Sequence, residues 1–182
     1  MNFCSNCGQK VQFGNIADDH LPRFHCLDCG TIHYQNPRVI VGCIAIWEDK
    51  VMLCKRGIEP QKGLWNLPGG FMENNETVED GATREMLEET HGRVRIIGLQ
   101  SVYTVLQVNQ VHLHFLAEML DLNYATTLES TDIQLFTEEN LPWSDVAFAS
   151  NRFALQKYFE DRRLGLQRTH RGFLQKGIFA IQ

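Results

Sequence analysis

Between Gly69 and Glu89 the chain reads GGFMENNETVEDGATREMLEE, two glycines followed by seven side-chain carboxylates. Thr77 with Asp80 three residues on predicts a helix N-terminus near Val78. At about 100° per residue, Glu85, Glu88 and Glu89 then share an arc of roughly 100°. Ala82, Met86 and Thr90 lie to one side as a packing stripe. Like charges three and four residues apart repel by a few tenths of a kcal/mol per pair, so something must compensate them. Gly81 lies one turn earlier on the acidic face and leaves space there. Three acids around a gap suit a hard divalent cation such as Mg²⁺ or Mn²⁺. A solvated acidic helix is the competing reading. Leu67-Pro68-Gly69-Gly70 argues against it, because glycine lets backbone approach a ligand closely.

The first 35 residues form a separate problem. Cys4-x2-Cys7 and Cys26-x2-Cys29 stand 18 residues apart, the spacing of a four-thiolate zinc ribbon, and each pair is followed by a glycine, Gly8 or Gly30. Two disulfides are the alternative and suit an oxidising compartment. His25 and His33 flank the second pair and are expected to be ordinary surface residues. A zinc with four protein ligands keeps no open position, so its expected role is structural. A module this short needs such a staple in place of a core.

Asn36-Pro37 marks the junction to the main domain. Val39 to Trp47 and Val51 to Cys54 are apolar runs separated by Glu48-Asp49-Lys50, which predicts a buried hairpin. Cys43 and Cys54 fall inside these runs and read as small core residues. Strands are expected over Arg93 to Leu99, Ser101 to Val108, Val111 to Ala117 and Ile133 to Phe136, and a helix around Ala147 to Arg163. His112 and His114 share a strand face and read as half-exposed sheet residues. Residues 166–182 read as a basic and apolar C-terminal tail containing Arg168, Arg171, Lys176, Phe173, Leu174, Ile178, Phe179 and Ile181. Such a tail would dock on its own domain or on a second subunit, giving a homodimer.

The chain of 182 residues has a formal charge of −5 and 43% hydrophobic residues, which suits a packed domain without a general basic field for DNA. No apolar run approaches the ~20 residues of a membrane span and no leader is read at the start, so the expected location is cytoplasmic.

The spacing Gly70-x5-Glu76-x7-Arg84-Glu85-Met86-x-Glu88-Glu89 resembles the Nudix box, G-x5-E-x7-R-E-U-x-E-E-x-G-U, where U is a bulky aliphatic residue. His91 replaces the box glycine and Gly92 the final aliphatic position. The resemblance implies an α/β fold, a Nudix α/β/α sandwich with a mixed sheet over residues 36–165, preceded by the zinc ribbon at 1–35. It implies a pyrophosphohydrolase in which Glu85, Glu88, Glu89 and the Gly69 backbone hold magnesium. Glu88 or Glu89 would activate water, and Glu76 with Arg84 would form the ion pair that orients the loop. Nudix enzymes sometimes place the general base outside the box, and Glu129 and Asp132 are the candidates for that.

An attached four-cysteine ribbon occurs in NADH pyrophosphatases and in a branch similar to FAD pyrophosphatases. The NADH type carries S-Q-P-W-P-F-P-x-S after the box, whereas this chain has Leu141-Pro142-Trp143-Ser144-Asp145-Val146-Ala147-Phe148. The Tyr34 to Arg38 linker and the Glu59 to Trp65 loop are similar to the FAD branch. The expected substrate is therefore a small-molecule dinucleotide, FAD first, with NADH or ADP-ribose behind it. Arg38, Lys55 and Arg56 could hold phosphates, and Trp65 could stack a flat ring. The competing class is a catalytically silent Nudix-like module that binds RNA or protein.

Overall fold

The computed structural model describes residues 1–175 and the backbone of 178–181. It divides into two compact units, Met1–Asn36 and Pro37–Gln182.

The first unit holds three short strands, β1 (Gln12–Gly14), β2 (Arg23–His25) and β3 (Ile32–His33), in one antiparallel sheet. Its two cysteine pairs fold alike. Gly8 N–H donates to Cys4 O at 2.9 Å and Gly30 N–H to Cys26 O at 3.0 Å, with Gly8 and Gly30 at φ 76° and 71°. That left-handed turn carries no Cβ penalty for glycine. His25 is half-buried, but His33 is a buried side chain rather than a surface one.

The second unit is built on β4 (Arg38–Trp47), β5 (Lys50–Arg56), β6 (Trp65–Asn66), β7 (Gly69–Phe71), α1 (Val78–Thr90), β8 (Val94–Val105), β9 (Gln110–Met119), β10 (Ser130–Phe136), α2 (Ala149–Leu164), β11 (His170–Gln175) and β12 (Ile178–Ile181). The sheet order is β10-β5-β4-β9-β8-β11-β12, with β6 on β5 and β7 on β4. It is mixed: β4 runs parallel to β9 and β8 parallel to β11, and the other pairs are antiparallel.

The unbroken apolar runs of β4 and β5 follow from a sheet covered on both faces. Val41, Cys43, Ala45, Met52 and Cys54 pack with Ala82 and Met86 of α1. Their alternates Ile44, Val51 and Leu53 pack with Ala154, Leu155 and Phe159 of α2. The result is the expected α/β/α sandwich, and Cys43 and Cys54 are core residues.

The expected hairpin closes only at its turn, Ile46 opposite Val51 and Trp47 opposite Lys50. Beyond that the strands part. β4 pairs with β7 through Gly42 and Gly69, and β5 with β6 through Cys54 and Asn66. This fork carries the Leu67-Pro68-Gly69-Gly70 turn between the two strands.

Two expectations need correction. The strands expected on either side of Gln100 are one strand, β8, with irregularities between Ile96 and Gly98 and between Leu99 and Ser101. It ends at Val105, and residues 106–108 form a 3₁₀ turn. The polar Gln100 reads as a break, yet it is buried and donates to Asp161 Oδ2 at 3.3 Å.

The segment from 166 onward is not a separate tail. β11 pairs with β8 from His170↔Ser101 to Leu174↔Val105, and Lys176 lies outside the described residues. The attachment centres on Asp161, 2% exposed. It accepts from Arg168 Nε at 2.8 Å and Nη2 at 2.6 Å, and lies 2.7 Å from His170 Nε2. Burial works against its charge, but hydrogen bonds from His170, Arg168 and Gln100 hold its carboxyl below the usual range. Arg168 and His170 thus serve to seat a strand. Asp161→Ala should lower unfolding free energy by about 3 kcal/mol, since charge-assisted hydrogen bonds and a buried ion pair are lost together. Hydrogen exchange should show residues 170–175 losing protection before β4 and β9 do.

Candidate active site and metal centre

The acidic face of α1 is organised by one guanidinium. Arg84 Nε donates to Glu76 Oε2 and Nη2 to Glu76 Oε1, both at 2.9 Å. Its Nη1 reaches Glu85 at 2.8 Å and Glu88 at 2.9 Å, and Nη2 also donates to Phe71 O at 3.1 Å. The crowding of like charges is relieved there. Glu76 is pulled down to about 2 by Arg84, helped by the Glu73 N–H. The gap at Gly81 is filled by this pair: a Cβ there would sit 2.6 Å from Glu76 Oε1.

Glu89 stands apart from Arg84. Its Oε2 accepts from Gly69 N–H at 3.2 Å. Burial pushes its carboxyl up to about 8, with Glu85 and Glu129 adding to the rise against the Gly69 N–H and Arg56. Burial also raises Glu85 above its ordinary value, against Arg84. The glycines make the approach possible. A Cβ on Gly70 would lie 2.5 Å from Glu85 Oε2, one on Gly69 2.5 Å from Val41 O, and one on Gly42 2.7 Å from Pro68 O.

These groups open on a cavity of about 750 Å³. Gly69, Gly70, Arg84, Glu85, Glu88 and Glu89 line one end together with Arg56 and Glu129. Ile40, Val105, Val108, Phe148 and Leu174 supply an apolar surface, and Asn66, Gln110, His112, His114, Ser150 and Asn151 a neutral polar one.

Several expected residues fall elsewhere. Trp65 is 8% exposed and does not line the cavity; it packs edge-on against Phe136 at 5.0 Å in the α2-side core. The fork places β6 so that Trp65 points into the core and Asn66 borders the cavity. Arg38 lies over the Phe71 ring at 5.0 Å and also does not line the cavity. Arg56 does, with its guanidinium over Phe148 at 5.1 Å and Nε donating to Pro60 O. Lys55 lies over Trp65, and Asp132, opposite Lys55 in the ladder, accepts from Gln134. Of the two outside bases, only Glu129 lines the cavity.

His112 and His114 are buried, not half-exposed. His114 Nδ1 lies 3.0 Å from Ser101 Oγ and Nε2 2.9 Å from Asn151 Oδ1. His112 Nδ1 lies 2.9 Å from Ser150 Oγ and Nε2 3.1 Å from Gln110 Oε1. Their spacing placed them on one face, but Ser101, Ser150 and Asn151 come from β8 and α2, which no local pattern indicates, and Gln110 alone lies on the same strand.

In the N-terminal unit, the four cysteine sulfurs lie within 4.8 Å of one another, with Cys4 to Cys29 at 3.6 Å and Cys7 to Cys26 at 3.5 Å. A tetrahedron of about 2.3 Å Zn–S bonds has edges of about 3.8 Å, so the set fits zinc. All four are free of disulfides. Among the described residues they are the one group of three or more such side chains gathered closely enough to hold an ion. Glu85, Glu88 and Glu89 share the cavity, with the first two turned onto Arg84.

Residues 36–158 match the NUDIX domain family and residues 2–35 the Nudix N-terminal family. The chain belongs to the Nudix family. A Nudix hydrolase of known crystal structure from Nitrosomonas europaea is 49% identical, with a TM-score of 0.92 over 96% of this chain and 99% of that one. An ADP-ribose pyrophosphatase of Methanocaldococcus jannaschii is 42% identical over 71 residues, 39% of this chain and 42% of the relative. An NAD-capped RNA hydrolase, NudC, of Vibrio parahaemolyticus is 31% identical over 98 residues, 53% of this chain and 35% of the relative. The chain thus spans less than half the length of these two curated relatives.

The departure from the Nudix box has a backbone reason. His91 caps α1 in the left-handed region, φ 56° and ψ 2°, and donates its N–H to Leu87 O. That conformation favours glycine, and a histidine there costs about 1 kcal/mol. Gly92 is buried against Met86 Cε and Thr90 Oγ1, where a Cβ would come within 2.9 Å of each.

Burial pushes His114 down to about 4, with His112 contributing. A folded pKa below the ordinary 6.5 contributes stability that is present above 6.5 and lost as pH falls toward 4. Between pH 7 and pH 5 the wild type should lose about 2 kcal/mol more than His114→Gln. Urea midpoints of both proteins at the two pH values measure this.

Proposed function

We propose that this chain is a Mg²⁺- or Mn²⁺-dependent pyrophosphohydrolase of a nucleoside diphosphate linked to another moiety. The observation that carries the reading is the meeting of Glu85, Glu88 and Glu89 with the Gly69-Gly70 backbone at one end of a cavity of about 750 Å³. The raised carboxyl of Glu89 suits a site completed by a cation, and carboxylate oxygens are what a hard divalent ion takes. Glu85, Glu88, Glu89 and the Gly69 backbone would hold it. When bound, such ions neutralise non-bridging phosphate oxygens and acidify water. Arg84 orients Glu85 and Glu88, and Glu76 fixes Arg84 and the loop after Gly70. Glu88 or Glu89 is the general base in this reading, and Glu129 is the group from outside the box placed to take that part.

FAD, cleaved to AMP and FMN, is the first substrate, on the ribbon, the linker and the Glu59 to Trp65 loop. A stacking role for Trp65 no longer supports it. NADH and ADP-ribose follow. ADP-ribose and the NAD cap named for the two curated relatives both contain an ADP half, which supports that class. The cavity has room for more than a mononucleotide. The silent-binder reading gains nothing from the intact Arg84 and acids.

The ribbon would hold a structural zinc on Cys4, Cys7, Cys26 and Cys29. No helix among the described residues is long and apolar enough to cross a membrane.

Metal analysis should find one zinc per chain. Cys26→Ser should abolish it and unprotect residues 1–35 in hydrogen exchange, with 37–175 unchanged. Zinc-free protein that keeps the first unit folded would oppose the assignment.

Turnover of FAD, NADH and ADP-ribose at equal Mg²⁺ tests the reaction, and the ratio of kcat/KM values the ranking. Glu89→Gln should lower kcat at least 100-fold in saturating Mg²⁺ while leaving the Tm of the metal-free protein equal or higher, because a buried carboxyl that resists ionising gives way to a neutral amide. Full activity of that variant would pass the base role to Glu88 or Glu129.

A further inference from the structure

Two buried hydrogen-bond relays run beneath the cavity, and both begin at a serine and end at a carboxamide. In the first, Asn151 Nδ2 donates to Asn66 Oδ1, which commits Asn151 Oδ1 to accept from His114 Nε2–H, and His114 Nδ1 to accept from Ser101. In the second, Gln110 Oε1 accepts from His112 Nε2–H, and His112 Nδ1 accepts from Ser150. Each relay consumes the carboxamide oxygen and leaves the NH₂ group. Asn66 Nδ2 and Gln110 Nε2 have no partner among the described residues, and both side chains line the cavity. Asn66 is only 5% exposed. Facing the cavity, that donor is left for water or a ligand to meet.

Beside these donors stands the start of α2. Its N-cap Phe148 makes no side-chain cap bond, its first turn has no acid, and Ala149, Ser150 and Asn151 line the cavity. Their N–H groups have no intrahelical acceptor, and the helix end is positive. The Arg56 guanidinium lies over Phe148. This wall therefore presents donors and positive charge. A phosphoryl group, which offers acceptor oxygens and negative charge alone, matches it. A purine edge or a nicotinamide carboxamide, which alternate donor and acceptor, would leave groups unpaired.

We infer that Asn66, Gln110, Arg56 and the α2 N-terminus form a phosphoryl-binding wall that holds one phosphate of the substrate without metal. His112 and His114 are positioning residues that fix the two carboxamides. Burial pushes both histidines down to about 4, so the relays keep their direction through neutral pH. The inference rests on the phosphoanhydride reading above and adds which groups besides the acids grip the anhydride, with Arg56 standing between Glu89 and the α2 N-terminus.

The test is calorimetric titration of the zinc-loaded full chain, dialysed free of Mg²⁺ and Mn²⁺ and run with neither chelator nor added divalent cation, with AMP, pyrophosphate and adenosine. AMP and pyrophosphate should bind saturably, and adenosine at least fivefold more weakly than AMP. Asn66→Asp and Gln110→Glu keep the oxygens that accept from Asn151 and His112, and replace the donor with an acceptor oxygen that brings a negative charge. Each should weaken AMP binding at least fivefold and leave adenosine unchanged. Gln110→Met, which adds no charge, should also weaken AMP relative to adenosine. Gln110 is partly exposed, so its variants carry the test if Asn66→Asp does not fold. Adenosine binding as well as AMP, no phosphate binding without Mg²⁺ or Mn²⁺, or smaller effects of the Gln110 variants would overturn the wall. Binding as described without turnover of any dinucleotide would count against the hydrolase reading alone.

Discussion

The active end of this molecule depends on Arg84. Seven carboxylates follow two glycines, five of them within α1, and Glu85, Glu88 and Glu89, which share one face, repel one another. A single guanidinium gathers Glu76, Glu85 and Glu88 and also takes the Phe71 carbonyl. An ammonium could not do this, because only the planar fork presents donors on three sides in fixed geometry. The loop after Gly70 is thereby tied to α1, and two of the three acids are aimed. Glu89 is left outside the arrangement, on Gly69 N–H, and burial holds its carboxyl up at about 8.

The absence of side chains at three glycines allows that clustering. Gly70 leaves room for the Glu85 carboxylate and Gly81 for that of Glu76, while Gly69 lets β7 approach Val41 of β4. Alanine at any of them would drive a methyl against a carboxylate or a carbonyl. The fork of β4 and β5 places this turn at the cavity, and the same fork turns Trp65 inward and Asn66 toward the ligand. The chemistry at one end and the donor wall at the other are joined by residues 66–70, five positions of chain.

Opposite them, β9 and α2 bring uncharged polar groups into a place otherwise apolar. Such groups are tolerated when every member is satisfied, and the two relays satisfy all but their terminal donors. β11 closes the far side, since Leu174 lines the cavity, and it is seated by Asp161 at the end of α2. Packing far from the acids thus shapes the cavity that serves them.

The Nudix box was legible because its chemistry is local: residues one and two helical turns apart share a face, and the glycines needed for close approach stand beside them in the chain. The cysteine ribbon was legible for the same reason, each knuckle being a four-residue turn. The apolar runs of β4 and β5 showed that both faces are covered. What only the tertiary structure decided depends on register between distant strands. His112 and His114 met Ser101, Ser150 and Asn151 across three elements, Trp65 turned inward through a two-residue strand, and the basic segment after 166 became a strand on β8. Gln100 interrupted a pattern that a buried Asp161 repaired from 61 residues away. A side chain's periodicity states which face it occupies, but its burial and partners are set by whatever the fold lays against that face.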